Sequence, residues 1–459
     1  MKIADLQKAL AGAVVGLSLL TAAQQSSGAQ TPPVIPPVQQ LPNPIAVDIE
    51  PPTGATGIIR TPVSMASAIA WAMNRQPAIL QARALLTSAR GKVIATRGVL
   101  LPSLVLTSAY NGIHNLGASN TGGNTSSPGF NEAATVRQLL FDSSHTHDLL
   151  NESDKLYISA YFGLKTQENN TALAVSAAYI ALCQNVQLTS VSEDNIVNRT
   201  SQLALAQARL KSGLGLPSDM VNAQTALAQA QVQLSTAQNA EVASRINLAL
   251  QMGIDPRTAM ATTGYAALPS SSLTAAQVTA LALKSRPEIA AEAAQVSAAR
   301  AAESAARTAN DPTVSGNLEV LGRGNSFGGG TGQLIAGVSV QYTPYDGGIV
   351  AGQVEQARAA VAQNEALLTG VKLQALSDAS TAYAAYESAV QRVDLANAEM
   401  FNAKQAVNIA TGRYRSGLGL FQDILTAQQS LVTAESDAAN ALAAAQQAYA
   451  LVLHAEGQP

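Results

Sequence analysis

Arg209-Leu-Lys-Ser-Gly-Leu-Gly-Leu-Pro-Ser-Asp219 returns 204 positions later as Arg413-Tyr-Arg-Ser-Gly-Leu-Gly-Leu-Phe-Gln-Asp423. The chain is a duplication. The correspondence spreads outward: residues 136–142 (VRQLLFD) match residues 340–346 (VQYTPYD) at the same offset, and Pro77 and Pro102 match Pro287 and Pro312 at an offset of 210. Six residues were therefore gained or lost between Pro102 and Val136. A period near 200 residues is too long for a solenoid unit and means two copies of one large substructure. Function has to be sought in what the copies build together.

Composition sets the compartment. Lys2 and Lys8, an apolar run over residues 9–20, and the small residues Thr21, Ala22 and Ala23 have the layout of a secretory signal, expected over residues 1–29. No other apolar run approaches the length of a membrane helix, so the mature chain is expected to be exported without a helical anchor. Cys183 is the only cysteine and lies far from the signal, which excludes an intrachain disulfide and a lipid anchor there. With 27 basic and 30 acidic residues there is no electrostatic case for nucleic acid. Residues 30–62 carry paired prolines that favour an extended strap, expected to be a periplasmic lead-in.

Two repeats follow, over residues 63–262 and 263–459. In each, a long stretch lacks any interior proline, the residue that breaks helices: residues 142–210 in the first copy and 346–414 in the second. Such a helix would span about 100 Å. After each Gly-Leu-Gly-Leu turn a shorter helix carries a heptad-like seam: Met220, Ala223, Leu227, Ala230, Leu234, Ala237, Ser244 and Leu248, answered by Ile424, Ala427, Leu431, Ala434, Ala438, Ala441, Ala448 and Val452. This spacing predicts close antiparallel coiled-coil hairpins, residues 142–252 and 346–456, with the repeated motif at their tips and a glycine cap ending each long helix.

At the other end of each long helix lie two strand-like stretches. Val314, Gly316, Leu318 and Val320 alternate with Ser315, Asn317 and Glu319. Leu334, Ala336, Val338, Val340 and Tyr342 alternate with Gln333, Ser339 and Gln341. A glycine-rich loop is expected over residues 322–332. The first copy repeats this less cleanly, with strands over 104–110 and 134–141 and a loop over 117–129. Hairpins are thus expected at about 103–141 and 313–345. The alternation suits a transmembrane β-barrel, with ordinary surface hairpins as the plain alternative. Four strands cannot close a barrel, and an open edge in lipid leaves backbone groups unpaired. Three chains supply twelve strands and begin to open a lumen.

The duplication, the two R-[LY]-[KR]-S-G-L-G-L-x-x-D tips, the prolines at 77 and 287, the Leu101-Pro102 and Asp311-Pro312 entries and the Phe141-Asp142 and Tyr345-Asp346-Gly347 exits together resemble the TolC family of outer-membrane efflux proteins. The resemblance covers essentially the whole mature chain. It implies a mainly α fold with a membrane β-barrel. Four strands per chain join a twelve-stranded barrel in a homotrimer, and an α-helical barrel of long antiparallel coiled-coil helices crosses the periplasm. The implied role is a passive export duct of a tripartite efflux or type I secretion system. Its partners would be a periplasmic adaptor, an inner-membrane RND, ABC or MFS transporter, and outer-membrane lipids.

Candidate site residues cluster at the tips. Asp219 and Asp423 would crowd up to six carboxylates round a trimer axis, favouring cations. The resemblance places constriction aspartates and a gating tyrosine on positions matching Asp423 and Tyr414. Thr426, where some members have a further aspartate, is counted with the constriction, and Gly419 stands where some have an arginine. The plain alternative is that the two aspartates only cap the helices that follow. Gly213, Leu214, Gly215 and Leu216, with Gly417, Leu418, Gly419 and Leu420, form exposed apolar knobs suited to docking an adaptor; as a minimum they form turns.

His145 and His147, flanked by Asp142 and Asp148, read as polar residues opening a helix rather than metal ligands. Cys183 reads as a buried small hydrophobe. Residues 328–330 lack a following Lys-Ser/Thr, so no phosphate loop is implied. No enzyme, cofactor or metal site is expected. The rival readings are a soluble periplasmic coiled-coil adaptor, which should carry only one hairpin and a lipoyl-like or β-barrel module between the helical halves, and an exported helical adhesin or scaffold, which would need no strands.

Overall fold

The structure, a computed structural model, describes residues 62–112, 129–265, 267–268, 274–327 and 329–457. The expected signal and nearly all of the proline-rich lead-in lie outside the described residues. Each copy opens with two short helices: α1 (Met65–Arg75) and α2 (Pro77–Gly98), then α5 (Ala275–Ser285) and α6 (Pro287–Arg307). Pro77 and Pro287 sit at the first helical position, where the missing N–H costs nothing. A hairpin follows, β1 (Ser103–Asn111) with β2 (Gly129–Phe141) and β3 (Thr313–Ser326) with β4 (Gly329–Gln341). A long helix and a shorter one complete each copy: α3 (His145–Lys211) and α4 (Pro217–Gln251), then α7 (Ile349–Arg415) and α8 (Phe421–Ala455).

The four strands form one antiparallel sheet in the order β1-β2-β3-β4. Its register lines up Leu104, Val136, Leu318 and Ala336 in one row and Leu106, Ala134, Val320 and Leu334 in another. The opposite face carries Thr135, Arg137, Asn317 and Glu319, and the hydroxyls of Ser315 and Ser339 lie 3.2 Å apart on it. At the far end Tyr110, Phe130 and Phe327 make an aromatic chain, with ring centroids 5.0 and 6.3 Å apart.

The expected glycine-rich loop over 322–332 is a correction. Gly322 pairs with Gly332 and Arg323 with Thr331, so the hairpin continues through the glycines and turns only between Ser326 and Gly329. Ladder bonds need backbone alone, and antiparallel pairing propagates where the twist is already set. In the first copy the loop expected over 117–129 lies outside the described residues, apart from Gly129, which opens β2.

The long helices have 67 residues each, roughly 100 Å, and their partners 35. They start three residues later than the proline count suggests, because an aspartate caps each from outside. Asp142 accepts the Thr146 N–H at 2.7 Å, and Asp346 accepts those of Val350 at 2.7 Å and Gly348 at 2.9 Å. Between cap and helix the backbone is left-handed twice in succession, at Gly347 and Gly348 (φ +71° and +93°) and at Ser143 and Ser144 (φ +53° and +72°). Both seams face inward. Ala223, Ala230, Ser244 and Leu248 are buried in the first, Ile424, Leu431, Ala434, Ala448 and Val452 in the second, and no seam residue is exposed.

One packing order governs the molecule. On the tip side of the short helices the layer runs α4-α3-α8-α7, on the sheet side α2-α3-α6-α7, and the sheet runs β1-β2-β3-β4. First-copy elements bound one lateral side (α2, α4, β1) and second-copy elements the other (α7, β4). α3 lies at the centre of this layer and contains an 18-residue window of mean hydropathy 1.2, which the sequence reading passed over; half of that window is buried inside the protein. Alanine rather than aromatic residues fills much of the core, including Ala178, Ala249, Ala379 and Ala445. Cys183 is buried there with its thiol 3.5 Å from the Thr262 hydroxyl, and burial pushes its pKa up, away from reactivity.

Candidate functional site

The two tips are built alike. Each long helix ends on a serine followed by a left-handed glycine, Gly213 (φ +73°) and Gly417 (φ +78°). Leu214 N–H bonds the Arg209 carbonyl at 3.0 Å and Gly213 N–H that of Leu210 at 3.1 Å; Leu418 to Arg413 at 2.8 Å and Gly417 to Tyr414 at 3.1 Å repeat the pattern. This is the Schellman closure, which satisfies carbonyls the helix leaves free. Leu214, Leu216, Leu418 and Leu420 are all thrown outward, 72, 63, 76 and 70% exposed. Gly215 and Gly419 lie close over the helix ends: an added Cβ would come 2.8 Å from the Leu210 nitrogen and 3.0 Å from the Arg413 Cβ.

The equivalent aspartates do different work. Asp423 is exposed and accepts the Leu420 N–H at 3.2 Å, closing the helix start. Leucine offers no acceptor in return, so only this arm of a capping box exists. Asp219 is half-buried and accepts the Tyr414 hydroxyl at 2.9 Å, a bond between the two copies. Tyr414, only 4% exposed, packs on Phe421 with ring centroids 5.4 Å apart, beside Ala206, Ala223 and Ile424. Its pKa is pushed up to about 12, first by burial and then by the Asp219 carboxylate it bonds.

Arg209 completes the cluster, and the sequence reading gave it no role. Its guanidinium lies 4.6 Å from the Tyr414 ring centroid, a cation–π contact, and donates to the carbonyls of Tyr414, Arg415 (3.3 Å) and Leu214 (3.2 Å). It thus closes the end of α7 as well as its own turn. The sequence offered one partial sign, that position 210 is leucine and position 414 tyrosine, so the copies differ here; which residue meets that ring is set only when the copies pack. Thr426 stands apart from this cluster. It lines a groove of about 570 Å³ between α4 and α8, floored by Arg199 of α3. His145 gives Nδ1 to the Ala305 carbonyl at 2.8 Å, and His147 is exposed.

The outer membrane efflux protein family model matches residues 68–253 and 278–458, one stretch in each copy. Protein CyaE of Bordetella pertussis is 26% identical over 383 residues, covering 81% of this chain and 79% of that protein. Outer membrane efflux protein BepC of Brucella suis is 25% identical over 305 residues, 65% of this chain and 66% of its own. The outer membrane protein VceC of Vibrio cholerae superimposes with a TM-score of 0.76 at 20% identity, over 86% of this chain and 96% of its own, a likeness of fold. Two tandem matches falling on the two structural copies leave one assignment: the chain belongs to the outer membrane efflux protein family.

Proposed function

We propose that three copies of this outer membrane efflux channel close into a homotrimer with a twelve-stranded barrel in the membrane and a helical barrel below it. The division into repeats 63–262 and 263–459 then gives six quasi-equivalent units round one axis. The supporting observation is that sheet and helical layers end in the same sense, with α2, α4 and β1 open on one side and α7 and β4 on the other. A first-copy side can therefore meet a neighbour's second-copy side at every level, which is the head-to-tail contact that generates a ring. Closure also removes the unpaired sheet edge that lipid forbids.

The tips form the periplasmic constriction. Asp423, exposed and free to face an axis, concentrates cations there. Asp219, held by the Tyr414 hydroxyl while Arg209 lies over that ring, ties the two hairpins of one chain together and keeps the mouth narrow. Leu214, Leu216, Leu418 and Leu420 give an adaptor apolar purchase, and an RND, ABC or MFS transporter behind that adaptor supplies the substrate and the energy. The experiment is purification from the outer-membrane fraction followed by bilayer recording. A trimer is expected, and Asp423→Asn should lower its preference for cations with little change in assembly. A monomer, or an unaltered reversal potential, would overturn the reading.

A further inference from the structure

The groove between α4 and α8 holds a charge that nothing pays for. Arg199, at its floor, is 5% exposed. Among the described residues its one hydrogen bond runs from Nη1 to Gln202 Oε1 at 3.3 Å, Gln202 Nε2 donates to Gln428 Oε1 at 3.3 Å, and Arg199 Nε and Gln428 Nε2 are both buried without an acceptor. Asn195 Oδ1, one turn earlier on α3, is also unpaired and does not reach the guanidinium. No carboxylate lies within ion-pair distance of Arg199 among the described residues. Burial lowers its pKa with no opposing cause. A buried unpaired cation is among the costliest arrangements in a protein.

Packing does not require it. The positions equivalent to Arg199 and Gln202 in the second copy are Ala403 and Ala406, which serve the same helix without polar groups. The groove's volume falls within the range of small-molecule sites. Its walls carry neutral hydrogen-bonding groups, among them Asn222, Gln229, Gln422, Thr426 and Gln429, and Glu399 is the only acidic one among the described residues that line it.

We infer that this groove binds a small hydrophilic carboxylate, its anionic end on Arg199 and its hydroxyl- or amide-bearing body along the walls of α4 and α8. Glu399 disfavours a second negative charge, so a monoanion fits better than a dianion. The site is separate from the Arg209–Tyr414–Asp219 cluster.

Calorimetric titration of the detergent-solubilised, assembled protein with sodium gluconate tests this, with sorbitol as the uncharged counterpart and sodium chloride matching the ionic strength. Saturable binding of about one gluconate per chain is expected, with none for sorbitol. Arg199→Gln should weaken it at least tenfold, as loss of a charge-assisted contact does. Glu399→Gln, which leaves the floor intact, should tighten it several-fold. In the absence of gluconate Arg199→Gln should also raise the thermal midpoint, because it removes an unpaid charge. Absence of saturable binding, or equal gluconate affinity in wild type and Arg199→Gln, would overturn the inference. So would unchanged affinity in Glu399→Gln.

Discussion

Tyr414 spends its hydroxyl on Asp219 and offers its ring to Arg209, so a single side chain joins the tips of both hairpins. Replacing it with phenylalanine keeps the ring contacts and removes one hydrogen bond, worth about 0.5–1.5 kcal/mol. Tyr414→Phe should therefore fold and assemble normally while raising single-channel conductance; recordings indistinguishable from wild type would take this pair out of the constriction. The sign of the pH dependence follows from the raised pKa. A tyrosine whose folded pKa lies above its ordinary value keeps its proton, and the stability tied to it, below about pH 10. That stability is lost only as pH rises from there toward about 12. The Tyr414 hydroxyl therefore does not titrate near neutrality.

At the scale of the element, the exits from the sheet carry the least comfortable backbone in the described chain. Gly347 and Gly348 adopt left-handed conformations at no steric cost, whereas Ser143 and Ser144 adopt them with side chains attached. Nothing in the structure explains the serines. Ser143→Gly combined with Ser144→Gly should raise unfolding free energy by about 1 kcal/mol, measured by denaturant titration of the solubilised protein, and Gly347→Ser should lower it by a similar amount. The elements themselves were legible because their signals are local: proline placement bounded the helices, the heptad seam named the buried face, and Gly213 and Gly417 marked the turns. The extent of the second hairpin was not, since glycine reads as loop in a sequence and pairs like any residue in a ladder. Nor was the Arg209–Tyr414–Asp219 cluster, because its members lie about 200 positions apart and meet only when the two copies pack.

The whole molecule is a strip of layer with one order of elements from sheet to tip. Four exposed leucines sit on two turns whose backbone bonds are already satisfied, so changing their chemistry leaves the fold alone. Leu214→Asp with Leu418→Asp should abolish export in cells while the trimer still assembles, read by native mass of the extracted protein beside a substrate-retention assay; undiminished export would place adaptor docking elsewhere. At the other end, β3 runs 14 residues, a contour of roughly 46 Å that stands about 35 Å tall at the tilt usual for such strands. A hydrocarbon slab is roughly 30 Å thick. In the trimer proposed above, the turn at Phe327 would therefore clear the lipid, and three such spurs would stand where an antibody outside the cell can reach them.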